Sequence, residues 1–363
     1  MTIPPFFSQL VTPLDHALLW ARQGQAVAIA TVTGTWGSSP RPPGSNMVMS
    51  KNGLMEGSVS GGCVETDVML HAQEIMEGQA PTVLSYGVSS AKAWEVGLAC
   101  GGTLDVMVEA VQSPACPTGT WPLHLLEQIC DLQAARKAAV LVRSLDGKQH
   151  ILAQEHQKST FEELPPFVKE VAFHQLQEGR CAAIEEALGQ KWFVQPIIPP
   201  PRLLIVGAVH IAQYLARLAQ ITGFSPIVID PREALATADR FPGLESGSTL
   251  ITEWPDEALE TLGVDSMTAI VTLTHDAKLD DPTLEAALKS PAFYIGALGS
   301  RKTQASRLQR LQTLGFTEQD LKRIRGPVGL AIGAVGAEEI ALSIMAEIVA
   351  TRRHAPLSDI RGW

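Results

Sequence analysis

The chain has 363 residues, 45% of them hydrophobic and 18% charged, with a formal net charge of −10. A length of that order divides into two or three domains, each with a sizeable core. The acidic balance, without any basic block, argues against nucleic acid or an anionic membrane surface as the main partner.

The opening Met-Thr-Ile-Pro-Pro-Phe-Phe has no basic segment and no long apolar run, so no signal peptide is read there. No stretch is apolar for long enough to predict a transmembrane helix. The five cysteines, Cys63, Cys100, Cys116, Cys130 and Cys181, are an odd and sparse set. They fit reduced thiols in a cytoplasm better than a disulfide framework. Without Cys-x-x-Cys or His-x-x-x-His spacings, no structural zinc site is expected.

In chain order, residues 14–23 predict an amphipathic helix ended by Gly24, and the β-branched run 26–33 a strand. Residues 34–44, dominated by Gly, Pro and Ser, predict a long functional loop. Residues 46–50 and 54–59 predict a hairpin across Asn52-Gly53. Then comes Ser58-Val-Ser-Gly61-Gly62-Cys63-Val-Glu65, followed by a helix over 64–76. Strands are predicted over 82–86 and 103–111, with a loop over 88–99 between them and a helix over 123–135 after them. Residues 138–144 and 149–153 pair across Asp146-Gly147. A helix over 167–177 and two short strands near 180–185 and 190–195 complete a mixed α+β domain, 1–198.

The prolines of Gln195-Pro-Ile-Ile-Pro-Pro-Pro-Arg202 predict an extended linker. Beyond it, short apolar strands at 203–206, 227–229, 269–273 and 293–295 alternate with helices at 211–222, 256–262 and 282–289. Two more helices follow at 302–314 and 338–352. This is the pattern of a parallel sheet with helices on both faces, a Rossmann-like domain over 199–363.

The Cys63 motif sets a thiol and several free backbone N–H groups at a helix start, which favours both anions and thiolate. Leu98-Ala-Cys100-Gly101-Gly102 repeats the pairing in reverse order. Each cysteine is read as a site residue, the alternative being a small core filler. Glu65 and Asp67 read as first-turn helix acids. The loop residues Ser38, Ser39 and Arg41 suit a phosphate or a pterin edge. In the second domain, Gly207-Ala-Val209-His210-Ile-Ala212 fits a dinucleotide fingerprint at its first and third positions only, because Val209 stands where glycine lets the pyrophosphate approach. Asp230 lies at the spacing of a ribose-binding acid. His275, in Thr274-His-Asp276, follows a strand as a ligand-facing residue would, although Asp276 also suits a plain helix cap. Ser300 and Arg301 suit a phosphate at a helix start, or ordinary punctuation. Residues 326–336 are glycine-dense and imply close backbone approach.

Together these motifs resemble the XdhC/CoxI family of xanthine dehydrogenase accessory proteins. The resemblance rests on Gly37-Ser-Ser-Pro-Arg41-Pro-Pro-Gly44, Gly57-Ser-Val-Ser-Gly-Gly-Cys63-Val-Glu65 and Gly97-Leu-Ala-Cys100-Gly-Gly102 in the first half. In the second half it rests on Thr274-His-Asp276, Tyr294-Ile-Gly-Ala-Leu-Gly-Ser-Arg301-Lys302, and Ile324 through Gly333 with Glu338 through Glu347. It implies a cytoplasmic chaperone that binds molybdenum cofactor, protects it while its sulfido ligand is installed, and delivers it to a molybdenum hydroxylase apoenzyme. The cofactor-holding set is then Ser38, Arg41, Gly61, Gly62, Cys63, Cys100, Gly101, Gly102, Gly207, His210, Asp230, His275, Ser300 and Arg301, with Cys63 and Cys100 toward the metal. A cysteine desulfurase is a further candidate partner, and a homodimer is left open. The motifs depart from the family at Val209, against NAD(P), and mildly at Ala99. Two rival readings stay open: an NAD(P)-dependent oxidoreductase using His275 as acid/base, and a nucleotide-sensing regulator.

Overall fold

The structure, a computed structural model, describes residues 12–37, 41–62, 64–87, 102–154, 158–185 and 189–355. It divides into two compact units, one of Val11–Pro199 and one that takes in Pro200–Trp363.

The described elements of the first unit are α1 (Pro13–Arg22), β1 (Val27–Trp36), β2 (Asn46–Ser50), β3 (Met55–Gly57), α2 (Glu65–Met76), β4 (Thr82–Tyr86), β5 (Thr103–Gln112), β6 (Trp121–Pro122), α3 (Leu123–Ala134), β7 (Ala139–Ser144), β8 (His150–Gln154), α4 (Lys158–Glu162), α5 (Pro166–Glu178), β9 (Ala182–Glu185) and β10 (Lys191–Ile197). They form one sheet in the order β3-β2-β1-β5-β4, with β6 beside β5, and a second in the order β8-β7-β10-β9. Strand period sets the layering. Along β1, Val27 and Ile29 enter a core with α1, α3 and Leu141 of β7. Ala28, Ala30 and Val32 point the other way, against Val68 and Ala72 of α2. Residues of β7 likewise alternate, Val140 and Val142 packing on Val168 and Ala172 of α5.

The layer between the two sheets also holds charge. Arg143 Nη1 donates to Glu109 Oε2 at 2.8 Å, and its Nη2 donates to Gln195 Oε1 at 3.0 Å. His150 Nε2 lies 2.7 Å from Glu109 Oε1. The Arg143 guanidinium lies over the Trp121 ring, 4.6 Å from its centroid. Gln195 is therefore part of a buried strand and not of a linker, which corrects the 195–202 reading. Pro196 is accommodated because β10 pairs with β9 only over Lys191–Val194, so beyond it the ring meets no ladder on that side. The segment outside strands is 198–201.

The second unit contains β11 (Arg202–Val206), α6 (His210–Ile221), β12 (Ser225–Ile229), β13 (Leu250–Ile251), α7 (Pro255–Leu262), β14 (Thr268–Thr272), α8 (Ala277–Leu288), β15 (Tyr294–Ala297), α9 (Arg301–Thr313), α10 (Glu318–Leu321), β16 (Ile324–Arg325) and α11 (Ala337–Arg352). The described strands form a parallel sheet in the order β13-β12-β11-β14-β15-β16. Counted within the unit this is 3-2-1-4-5-6, the dinucleotide-fold order. Leu203 and Ile205 face α6 and α11, while Leu204 and Val206 face α7, α8 and α9. The short strands β13 and β16 go beyond the elements expected from sequence, and α8 begins at Ala277 with Pro282 inside it, not at 282.

Candidate functional site

In the first unit, strand direction gathers the sequence motifs at one end of a sheet. The antiparallel pairs set the end of β1 (Trp36) opposite the start of β5 (Thr103), and the end of β4 (Tyr86) opposite Leu104. The start of β2 and the end of β3 come together as Met47 and Gly57 pair. Three connections therefore leave the same end: the one bearing Arg41, the one bearing Gly61 and Gly62, and the one whose stems are Gly87 and Gly102. Arg41 and Trp36 are exposed there, Trp36 to 72%. Gly102 is buried. Ser38, Cys63, Cys100 and Gly101 lie outside the described residues.

The Ser58–Val64 connection is organised by Glu65, at the first turn of α2. Its Oε1 accepts from Ser58 Oγ at 2.7 Å, Ser60 N at 2.9 Å and Gly61 N at 2.9 Å. Its Oε2 accepts from Ser60 Oγ at 2.5 Å, Gly62 N at 2.9 Å and Val64 N at 3.2 Å. Burial works to raise the Glu65 pKa, but the Ser60 and Ser58 hydroxyls and the Ser60 and Gly61 amides overcome it and hold the carboxyl well below the usual range. This corrects two expectations. The N–H groups around the glycine pair are not free for an external anion, because the chain's own carboxylate fills them. Nor is Glu65 merely a first-turn acid complementing the dipole. Positive φ at Gly61 (103°) and Gly62 (121°) turns successive amides inward onto that carboxylate. The signal was in the sequence: a Ser-x-Ser-Gly-Gly run with an acid three residues beyond it. Asp67 has a partner too, accepting from the Tyr86 hydroxyl at 2.7 Å. Burial and that acid push the Tyr86 phenol far up.

The Arg41-bearing connection returns along β1 through Val32, which donates to Ser45 O at 2.9 Å and accepts from Gly44 N at 2.8 Å. Gly44 O accepts from Gln195 Nε2 at 3.2 Å, tying this connection to the inter-sheet charge cluster. A side chain at Gly44 would meet the Cys181 sulfur. Burial, against the pull of Arg143, pushes the Cys181 thiol up to about 11, so it is protonated at neutral pH, in keeping with a structural residue.

In the second unit the switch point lies between β11 and β14, where the order reverses. Gly207 follows β11 with φ 107° and packs so closely on Thr274 that a Cβ would lie 2.6 Å from its methyl carbon. Thr274 Oγ1 donates to buried Asp280 at 2.6 Å. Arg307 Nη2 donates to Asp280 at 3.2 Å and to Leu298 O at 3.0 Å, and its Nη1 to Gln304 at 2.8 Å. One buried ion pair thus fixes both the loop after β14, with His275, and the loop after β15, with Ser300. His275 is exposed and holds a left-handed φ of 61°. Asp276 caps α8 through Lys278 N at 2.9 Å, and Ser300 caps α9 through Thr303 N at 3.1 Å, so each fills the capping role that its sequence allowed. Arg301 is exposed beside that cap, and His210 is exposed at the first turn of α6 with its ring edge-on to Tyr214.

Asp230 is fully buried and its oxygens are occupied. Oδ2 accepts from Ala208 N at 2.7 Å and Arg232 Nη2 at 2.7 Å. Oδ1 accepts from Arg232 N at 3.0 Å and Nε at 2.8 Å. A ribose hydroxyl would have to displace Arg232, which sequence reasoning overlooked. These bonds outweigh burial and keep the Asp230 carboxyl below its ordinary range. Elsewhere, a groove of about 540 Å³ between α7 and α8 is lined by Leu259, Val264, Pro282 and Ala286 among others, and by none of the predicted site residues. Among the described residues, no three His, Cys, Asp or Glu side chains gather as a metal-binding group, and no helix is long and apolar enough to cross a membrane.

The XdhC Rossmann domain matches residues 203–348, and the XdhC and CoxI family matches residues 20–87. A Bacillus subtilis protein, named as a probable subunit of xanthine dehydrogenase, is 31% identical over 92% of this chain and 94% of its own. The chain belongs to the XdhC and CoxI family. Another relative, the Escherichia coli molybdenum cofactor insertion chaperone PaoD, is 29% identical over 94% of this chain and 89% of its own. A crystal structure described as a xanthine dehydrogenase from Bacillus halodurans superposes with a TM-score of 0.70 at 26% identity, covering 96% of this chain and 99% of that one. Of the motifs in this XdhC-type chain, Gly37 to Gly44 and Gly57 to Glu65 fall in the first matched region and Thr274 to Asp276 in the second. The Cys100 motif lies outside both.

Proposed function

We propose that this chain holds molybdenum cofactor as cargo and passes it to a xanthine dehydrogenase-type apoenzyme, without turnover of its own. The observation that carries the reading is the gathering of the Arg41, Gly61-Gly62 and Gly102 connections at one sheet end, in a chain similar over nearly its whole length to a molybdenum cofactor insertion chaperone. Cys63 and Cys100 are the proposed contacts to the metal, since thiolates are soft ligands suited to a sulfur-bound metal centre. Glu65 saturates the amides flanking Cys63 in sequence. The phosphate of the cargo is therefore assigned to the Arg41-bearing connection of the same unit rather than to the glycine pair. Support for sulfuration, with a cysteine desulfurase as partner, is the pair of thiols alone. The test is cofactor retention by the purified chain and by its Cys63→Ala, Cys100→Ala and double variants. Loss of retention is expected; unchanged retention in the double variant would sink the cysteine assignment.

The second reading, an NAD(P)-dependent oxidoreductase, is favoured by the strand order. Val209 and the Arg232 clamp on Asp230 count against it. Titration with NADH and NADPH separates the two, and quenching or stabilisation at micromolar nucleotide would favour the oxidoreductase.

A further inference from the structure

Strand β1 carries a bulge that changes which way its last residues face. Val32 pairs with Val106 of β5, but Gly34 pairs with Asp105, so Thr33 is the extra residue. The Thr33 hydroxyl donates to Asp105 O at 3.3 Å. Before the bulge, the even-numbered residues Ala28, Ala30 and Val32 face α2. Residues directly opposite on paired strands share a face. Beyond the bulge, Gly34 therefore shares the face of Asp105, and Trp36 that of Thr103, which is the opposite face, with Met107 and Glu109. Ser85 of β4 also pairs with Asp105 and joins them.

This end of the face meets solvent. Trp36 is 72% exposed, Ser85 and Thr103 are exposed, and Asp105 is half-buried. Asp105 Oδ1 accepts from Ser85 Oγ at 2.6 Å, and among the described residues no donor reaches Oδ2. Gly34 keeps that oxygen uncovered, since a Cβ there would lie 2.9 Å from it. Gly34 does not have the positive φ that would itself call for glycine. Trp36 and Asp105 are diagonal neighbours across the strand pair, about 7–8 Å apart, a distance that a two-ring heterocycle spans. An unfilled carboxylate oxygen beside an exposed indole, with no side chain at Gly34 between them, fits a flat ring with two adjacent N–H donors. A pterin has that edge, a ring N–H next to an exocyclic amino group, which a carboxylate accepts as a bidentate pair. Its face stacks on an indole. Resting on the cargo reading above, we propose that Asp105 and Trp36 form the pterin subsite of the cargo site, Asp105 reading the amino edge and Trp36 stacking on the ring.

The test titrates the full chain with free pterin and with lumazine, in which an oxo group replaces the exocyclic amino group, following ligand fluorescence. Wild type is expected to bind pterin about tenfold tighter than lumazine, because the oxo group would face the carboxylate. Asp105→Asn is expected to abolish this preference. Trp36→Ala is expected to weaken both ligands about tenfold with the preference intact, and Trp36→Phe to recover most of that loss. Equal binding of the two ligands by the wild type, or a preference that survives Asp105→Asn, overturns the subsite. Cofactor retention measured in parallel separates the two claims. Retention by a wild type without the preference overturns the subsite alone. The preference in a chain that retains no cofactor supports the subsite and overturns the cargo reading.

Discussion

Replacing Glu65 by Gln changes one atom and inverts one side of the loop's hydrogen bonding. The amide oxygen can still accept from Ser58 Oγ, Ser60 N and Gly61 N, as Oε1 does now. The amide nitrogen then faces Gly62 N and Val64 N, two donors that Oε2 accepts from now. The Ser60 hydroxyl can rotate and accept instead, so its bond survives. Val64 N keeps its bond to Ser60 Oγ at 3.3 Å, so Gly62 N is the amide left stranded, at about 1–3 kcal/mol. Gly62 is exposed and water relieves part of its loss, so about 1–2 kcal/mol is expected. Because the chain has two compact units, whole-chain unfolding is not a single transition. The assay is therefore amide hydrogen exchange, reading residues 58–64 against β1 as internal reference. Exchange there should accelerate by about 5- to 30-fold. The pH dependence has a fixed sign. Glu65 titrates below its ordinary 4.5 in the folded chain, so its contribution is complete above that value and is lost as pH falls through the lowered folded pKa. Wild-type protection of the loop should fall with pH in that acid range, and the Gln variant should lack this component. Equal protection in the two proteins at neutral pH would refute the view that the carboxylate organises the loop.

Asp280→Asn should cost about 3–5 kcal/mol in the second unit, because it leaves Arg307 charged and buried without its counterion; chemical denaturation followed by exchange in α9 measures it. Gly207→Ala should cost about 2–4 kcal/mol, combining a φ that L-residues avoid with a clash on Thr274, and should perturb the His275 loop first in two-dimensional NMR spectra. Glu109→Gln should destabilise the first unit by a similar 3–5 kcal/mol, since it removes the countercharge of wholly buried Arg143, with the loss read in a urea melt.

Periodicity made much of this fold legible. The apolar runs at Arg202–Val206 and Thr268–Thr272, separated by amphipathic α6 and α7, read directly as a parallel sheet. Two-residue strands such as β13 and β16 carry no period and were invisible. Proline misled at Gln195, because the local rule reads Pro196 as linker while tertiary pairing with β7 keeps it in a strand. The candidate site was legible as motifs and illegible as bonds. Gly61 and Gly62 were found, but their amides were assigned to an outside anion, because Glu65 was read as a first-turn helix acid and not as the acceptor that turns back on them. The Asp280–Arg307 pair is separated by 27 residues and joins α8 to α9, a contact that only the packed sheet creates. His275 was found by its place after a strand, and the structure adds its left-handed backbone.

The central claim is that the chain carries molybdenum cofactor. The direct measurement is molybdenum by plasma mass spectrometry and pterin by fluorescence after oxidation, on chain purified from a cell that makes the cofactor. The account predicts near-equimolar molybdenum and pterin in the wild type, both lost from the Cys63→Ala/Cys100→Ala double variant. Wild-type chain with neither above the level of an unrelated protein purified alongside it would contradict the account.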